Sequence, residues 1–363
     1  MMGKNKRFAG VTLFSVLTLA APAYAGGGTG KVIEYDAPDA GVGNGLGTFG
    51  GGINNFDEIE GNYSDSAGVL HGFFRSPNGK ITTFDIQGQG TQAGQGVICY
   101  GLNDEGVITG TYSDINLNYH AFIRMPNGKI SKLSIPGAGT VYNTGSEATN
   151  INVFGLIAGD YYDDNGVIHG FVLTPEGKLT EWDAPGAGTL PGTGSGPNGF
   201  SGLTALGAIS GVVTDNNFVA HGFLRSPDGK FTVFDAPGAG TQAGQGTNAD
   251  SINVLDEIVG WFVDSGGATH GFLRDCSGKF TTIDPPGSVY TLAFTNNDVG
   301  EILGSYLDAT GFLHGFIRSP QGEISTFDPP GSVETVLGIN NQEGSFSGYF
   351  YDAASTAHAF VKE

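Results

Sequence analysis

The sequence predicts an all-β protein, a seven-bladed β-propeller of four-stranded antiparallel blades whose ring is closed by an N-terminal strand. Three observations carry this. All seven histidines (His71, His120, His169, His221, His270, His314 and His358) are followed by Gly or Ala and then Phe. Six residues before each stands an aspartate: Asp65, Asp114, Asp163, Asp215, Asp264, Asp308 and Asp352. The histidines recur every 44 to 52 residues, the period of propeller blades, and the strand missing after the last of them is found at the other terminus.

In chain order, the first segment is a leader. Lys4, Lys6 and Arg7 form a positive start, Phe8 to Ala21 a short apolar run, and Ala23-Tyr24-Ala25 a small-x-small cleavage site. This is the pattern of a secretory signal peptide, and the run is too short to span a bilayer comfortably. The expected layout is a leader at 1–25 and one domain at 26–363, secreted or periplasmic after cleavage.

Lys31-Val32-Ile33-Glu34-Tyr35-Asp36 comes next. It matches the fourth strand that follows six of the histidines: Lys80 to Asp85, Lys129 to Ser134, Lys178 to Asp183, Lys230 to Asp235, Lys279 to Asp284 and Glu323 to Asp328. His358 has no such strand before Glu363. A lone strand leaves its N–H and C=O groups unpaired, and a three-stranded last blade leaves an open edge. Pairing strand 31–36 with the last three strands resolves both and closes the ring.

The fifth copy illustrates one repeat. Strands are expected at Thr247 to Asn253, Ile258 to Asp264, His270 to Arg274 and Lys279 to Asp284, rich in the β-branched and aromatic residues that strands favour. The 63 glycines fall at fixed places in the repeat, where turns or close backbone approach require them. Five linkers between repeats are long, and the two that begin Pro-Pro-Gly-Ser-Val are shorter. All should emerge on one face, where a ligand is expected.

Composition excludes some classes. The chain carries −20 formally, and the leader holds three basic and no acidic residues, which takes the remainder to −23. Such a surface repels nucleic acid and anionic lipid. No cofactor is expected, although weak binding of a divalent cation such as calcium fits the acidic surface. Cys99 and Cys276 are the only cysteines and are expected to be small packed residues, not a bridged pair. A monomer is expected.

His120-Ala121-Phe122 and His358-Ala359-Phe360 resemble the eponymous triplet of the HAF-repeat family of probable bacterial extracellular proteins; the other copies read His-Gly-Phe. The resemblance covers nearly all of the chain after the leader. It implies export and repeats, and supplies no catalytic residues.

The recurrent Asp–His pairs could serve a general base or a metal, but a catalytic site is needed once and not in every repeat. They read as structural locks on the hairpin between second and third strands, and no metal ligand set is assigned. The arginine closing each third strand (Arg75, Arg124, Arg225, Arg274 and Arg318, with Leu173 in the third copy) reads as blade-to-blade ion pairing. Gly-x-Gly stretches at Gly88 and Gly238 are followed by no helix that could hold a dinucleotide. Function is therefore sought where the copies differ. Tyr100, Tyr142, Phe200, Asp250, Tyr290 and Glu334 are candidate ligand contacts in or near first strands, as aromatics and carboxylates suited to sugar rings or protein. No catalytic residue is assigned. The leading expectation is a non-enzymatic exported binding or scaffold protein for an extracellular glycan or protein. The alternative is a polysaccharide lyase or glycoside hydrolase at the channel mouth, using Glu147, Asp250 and Glu334.

Overall fold

A computed structural model describes residues 30–199 and 201–363. The leader and Phe200 lie outside the described residues. Among those described there are 28 strands and no helix. The first is β1 (Val32–Tyr35). Four-strand antiparallel meanders follow. The first comprises β2 (Gly47–Ile53), β3 (Ile59–Ser64), β4 (Leu70–Arg75) and β5 (Ile81–Phe84). The second comprises β6 (Gly96–Leu102), β7 (Ile108–Ser113), β8 (Tyr119–Arg124) and β9 (Ile130–Lys132). The third comprises β10 (Gly145–Ile151), β11 (Ile157–Tyr162), β12 (Ile168–Leu173) and β13 (Leu179–Trp182). The fourth comprises β14 (Gly194–Pro197), β15 (Ile209–Thr214), β16 (Ala220–Arg225) and β17 (Phe231–Phe234). The fifth comprises β18 (Gly246–Ile252), β19 (Ile258–Val263), β20 (Thr269–Arg274) and β21 (Phe280–Ile283), each within a residue or so of expectation. The sixth comprises β22 (Ser288–Asn296), β23 (Ile302–Asp308), β24 (Leu313–Arg318) and β25 (Ile324–Phe327). The last contributes β26 (Glu334–Asn340), β27 (Phe346–Tyr351) and β28 (Ala357–Lys362).

That last group is completed from the other end of the chain. β1 pairs antiparallel with β28, setting Val32 against Lys362, Glu34 against Phe360 and Tyr35 against Ala359. A single parallel bridge joins the third strand of each meander to the first strand of the next, including β28 to β2 through Ala357 and Gly47. The strands thus form one closed ring.

The triplet after each histidine supplies the core. Phe73, Phe122, Phe171, Phe223, Phe272, Phe316 and Phe360 are all essentially fully buried. Burying each stabilises the fold by about 2–3 kcal/mol. Each ring needs room on the second strand. A Cβ at Gly61 would come 2.6 Å from the Phe73 ring, and one at Gly211 2.5 Å from Phe223. Gly47, Gly96, Gly145, Gly194 and Gly246 serve a second close approach. At φ between +111° and +141°, a Cβ there would meet the third-strand carbonyl of the preceding meander at about 2 Å. After the two short linkers, Tyr290 and Glu334 take this place in the register.

The antiparallel order sorts the turns onto two rims. Linkers between meanders and the Asp-containing turns share one rim, where Gly41 N–H donates to Ser64 O and Leu70 N–H to Gln95 O. The opposite rim carries the first turn of each meander and the ends of the third strands. No helix among the described residues is long and apolar enough to cross a membrane. Cys99 and Cys276 are both free; Cys99 is buried as expected, but Cys276 is exposed, because it sits in the turn between β20 and β21.

Candidate functional site

On the linker rim the repeated histidines have a different principal partner from the one expected. In six of the seven repeats Nδ1 donates to the aspartate that closes the fourth strand: His71 to Asp85 (2.6 Å), His169 to Asp183 (2.8 Å), His221 to Asp235 (2.9 Å), His270 to Asp284 (2.8 Å) and His314 to Asp328 (2.7 Å). His358 donates to Asp36 (2.9 Å), across 322 residues, and so ties the two ends of the chain together. In the repeat of His120 that place is held by Ser134, and His120 Nε2 lies 3.4 Å from Asp114. The aspartate six residues earlier is occupied with its own turn. Asp65 Oδ1 accepts the N–H groups of Ala67 (2.8 Å) and Val69 (2.9 Å), leaving Oδ2 at 3.5 Å from His71 Nε2. Against a desolvation penalty, those N–H groups hold the Asp65 carboxyl below its usual range. Hydrogen bonds donated to Asp284 and Asp328 push His270 and His314 up. Most of the rings also stack on a second-strand aromatic, as His71 does on Tyr63 at 4.8 Å. Six of the seven repeats use this arrangement as a fastening. Glu34 lies 3.6 Å from His358 Nδ1 and, with Asp36, makes the one close group of three potential metal ligands among the described residues. Its core is the same His–Asp bond as in the other repeats.

The arginine row also departs from expectation. Arg75, Arg124, Arg225 and Arg274 face aromatic rings, not carboxylates. Each guanidinium lies over the ring before the closing aspartate of the preceding meander: Tyr35 (4.8 Å), Phe84 (4.8 Å), Trp182 (5.8 Å) and Phe234 (4.7 Å). Burial between meanders favours a weakly hydrated cation on a π-face.

A recess lies on the rim opposite the linkers, whereas the ligand was expected on the linker face. All seven first turns converge on a mouth of about 220 Å³. Its rim is a ladder of amides. Asn54 Oδ1 accepts the N–H groups of Phe56 and Glu58 in its own turn, while Nδ2 donates to Asn103 O at 3.0 Å. Asn103 reaches Asn152 O, Asn152 reaches Thr204 O, Asn253 reaches Asn297 O, Asn297 reaches Asn341 O, and Asn341 returns to Asn54 O. Thr204 has no amide to pass on, so the ladder is open at one step. Below it lie Ile53, Leu102, Ile151, Leu203, Ile252 and Ile339. Above it the turn tips vary: Val153 (39% exposed) and Val254 (44%) line the opening, and Phe56 (63%), Phe154 (69%) and Leu206 (76%) are exposed apolar side chains of the same first turns.

None of the described residues singled out from sequence lines this mouth. Tyr100 and Asp250 are the bulged residues of β6 and β18, skipped between Cys99 and Gly101 and between Ala249 and Ser251. Asp250 is buried, and burial pushes its carboxyl well up. Tyr142 is exposed in a linker turn on the other rim. Tyr290 and Glu334 are half-buried at the linker ends of β22 and β26, each pushed up by desolvation. Glu147, on β10, faces Asp160 across the strand pair. Glu147, Asp250 and Glu334 therefore belong to three non-adjacent meanders at three register positions. The asparagines that build the mouth recur at a fixed place in six repeats, which is the sequence signal that locates it.

Neither a protein-family model nor a curated protein matches the chain. Solved structures do. The β-propeller domain of the Trilobed protease from Pyrococcus furiosus, described as having an open velcro topology, is 9% identical with a TM-score of 0.53; the match covers 91% of this chain and 95% of that one. The ring is a β-propeller. The BP39L lectin from Burkholderia pseudomallei superposes with a TM-score of 0.55 at 11% identity, over 89% of this propeller and 95% of the lectin.

Proposed function

We propose that this propeller is an exported, non-enzymatic binding protein whose central mouth receives an extracellular glycan or protein segment. In this reading the meanders are seven four-stranded blades, strand 31–36 completes the last, and the leader directs the HAF-type repeats out of the cytoplasm. The observation that carries it is the mouth itself. Fixed amides hold its shape, its lining carries the exposed Val153 and Val254 beside polar groups, and the turns that form it differ from blade to blade in their exposed apolar tips. Exposed apolar side chains around a polar opening suit a ligand with both kinds of surface. The likeness to a lectin supports the glycan half of the proposal.

The test is a glycan array and a pull-down with residues 26–363. Binding is expected, and replacing Phe154 and Leu206 by Ser should weaken it at least about tenfold. Blank results in both assays would count against the proposal. The lyase or hydrolase reading is favoured by the raised carboxyls of Glu334 and Asp250, which lie in different meanders.

A further inference from the structure

The gap between the fifth and sixth meanders breaks the pattern of the other gaps. Four repeat arginines have a ring beneath them. Between the second and third meanders both partners are aliphatic, with Leu173 packed in the same cluster as Leu133. Before the seventh meander a lysine, Lys362, takes the arginine's place. Only between the fifth and sixth is the arginine kept and the ring lost, because Ile283 stands where the others have Tyr35, Phe84, Trp182 or Phe234. Arg318 is less buried than Arg75, Arg124 and Arg225, and its guanidinium makes one long contact, from Nη1 to Ser319 O at 3.5 Å.

A cleft of about 170 Å³ opens there, on the same rim as the central mouth and adjoining it at Asn296, which lines both. Its walls include Arg318, Glu257, Asn296, Leu273 and Pro320, with the exposed Leu255 at its edge. Glu257 Oε2 accepts the Asn253 amide at 2.9 Å, and no ion pair joins it to Arg318 among the described residues. The cleft thus presents a donor-only cation, an acceptor-only anion and apolar walls. It is smaller than the roughly 300 Å³ at which drug-sized sites begin, so it has room for one ring.

We propose that this cleft binds a single neutral polyhydroxylated ring, a monosaccharide unit free or at a chain end, with Arg318 donating to its hydroxyls and Glu257 accepting from them. A hydroxyl both donates and accepts, so one uncharged ring can satisfy both groups while its C–H face lies on Leu273 and Pro320. The inference rests on the binding reading but not on the central mouth.

The test is ligand-observed NMR and calorimetry on residues 26–363. The probes are methyl glycosides of the common hexoses and 6-deoxyhexoses, with leucine and sodium sulfate as competitors of other chemistry. Saturable binding of at least one glycoside is expected, weakened at least about tenfold in R318L and in E257Q. R318L should stay folded, since Leu173 already occupies the equivalent place. I283F, which restores the ring, should also abolish binding. Absence of saturation by every glycoside, undiminished binding in folded R318L, or displacement by leucine or sulfate would overturn the proposal. If glycosides bind here while array and pull-down are blank for the mouth, the first reading fails alone; the reverse result removes only this one.

Discussion

The two rims of the ring come from the same repeat but are fastened differently. On the linker rim, partly exposed imidazoles meet exposed carboxylates; Asp183 and Asp235 are more than half exposed. On the opposite rim, buried carboxamides make bonds in two directions at once, inward to their own turn and onward to the next blade. Water competes for the first kind of contact and is excluded from the second. The rim that varies in its tips is therefore the one whose base is held most firmly, which is what a binding surface requires of its support.

Breaking one member of each rim tests this contrast. N103A removes two accepted bonds and one donated bond from a residue that is 4% exposed, and should destabilise the protein by about 3 kcal/mol. H169A should cost less than about 1 kcal/mol. Urea denaturation of the two variants checks the ratio, and equal losses would remove the distinction.

A comparable effect is expected from pH. Glu60, fully buried near the mouth, gives Oε1 to Gly52 N–H at 2.7 Å, yet burial pushes its carboxyl up to about 7. A raised folded pKa means the associated stability is complete below the unfolded value and is lost as pH rises through about 7. The loss amounts to about 3 kcal/mol. His270 and His314, also raised, act in the same direction, losing their share as pH climbs through their folded values. The melting temperature should therefore fall between about pH 5 and about pH 8, and E60Q should remove part of that fall, because the raised carboxyls of Asp250 and Glu334 act in the same direction. An E60Q profile as steep as the parent's would contradict the assignment.

The smallest effect sharpens the linker rim. S134D supplies the carboxylate that His120 lacks. It should add less than about 1 kcal/mol in urea denaturation, and the gain should shrink as salt is added. A gain that salt leaves unchanged would mean the added charge is not its source.

Much of the architecture was legible because the repeat is regular. Strand positions followed from the His-x-Phe triplets, and the displaced fourth strand announced the pairing that β1 and β28 make. The histidine partner was harder to read. Aspartates recur both six residues before and, in most copies, fourteen after, and spacing alone does not say which carboxylate faces Nδ1. Arg75 and its counterparts looked like ion-pair residues because their rings lie in the preceding repeat, out of local view. Residues such as Asp250 and Tyr100 stood out for being irregular, but a bulge also produces irregularity, without making a pocket. The asparagine ladder was visible as a constant residue at the end of the first strand, and only the ring geometry turns six separate asparagines into one opening.

The central claim is that the two ends of the chain share a sheet, so that one strand holds the circle shut. The direct test is the melting temperature of a protein beginning at Ala37. It lacks the β1 ladder, the Tyr35 ring beneath Arg75 and the Asp36 partner of His358. A fall of more than about 10 °C relative to residues 26–363 is predicted. An unchanged melting temperature would contradict closure by this strand.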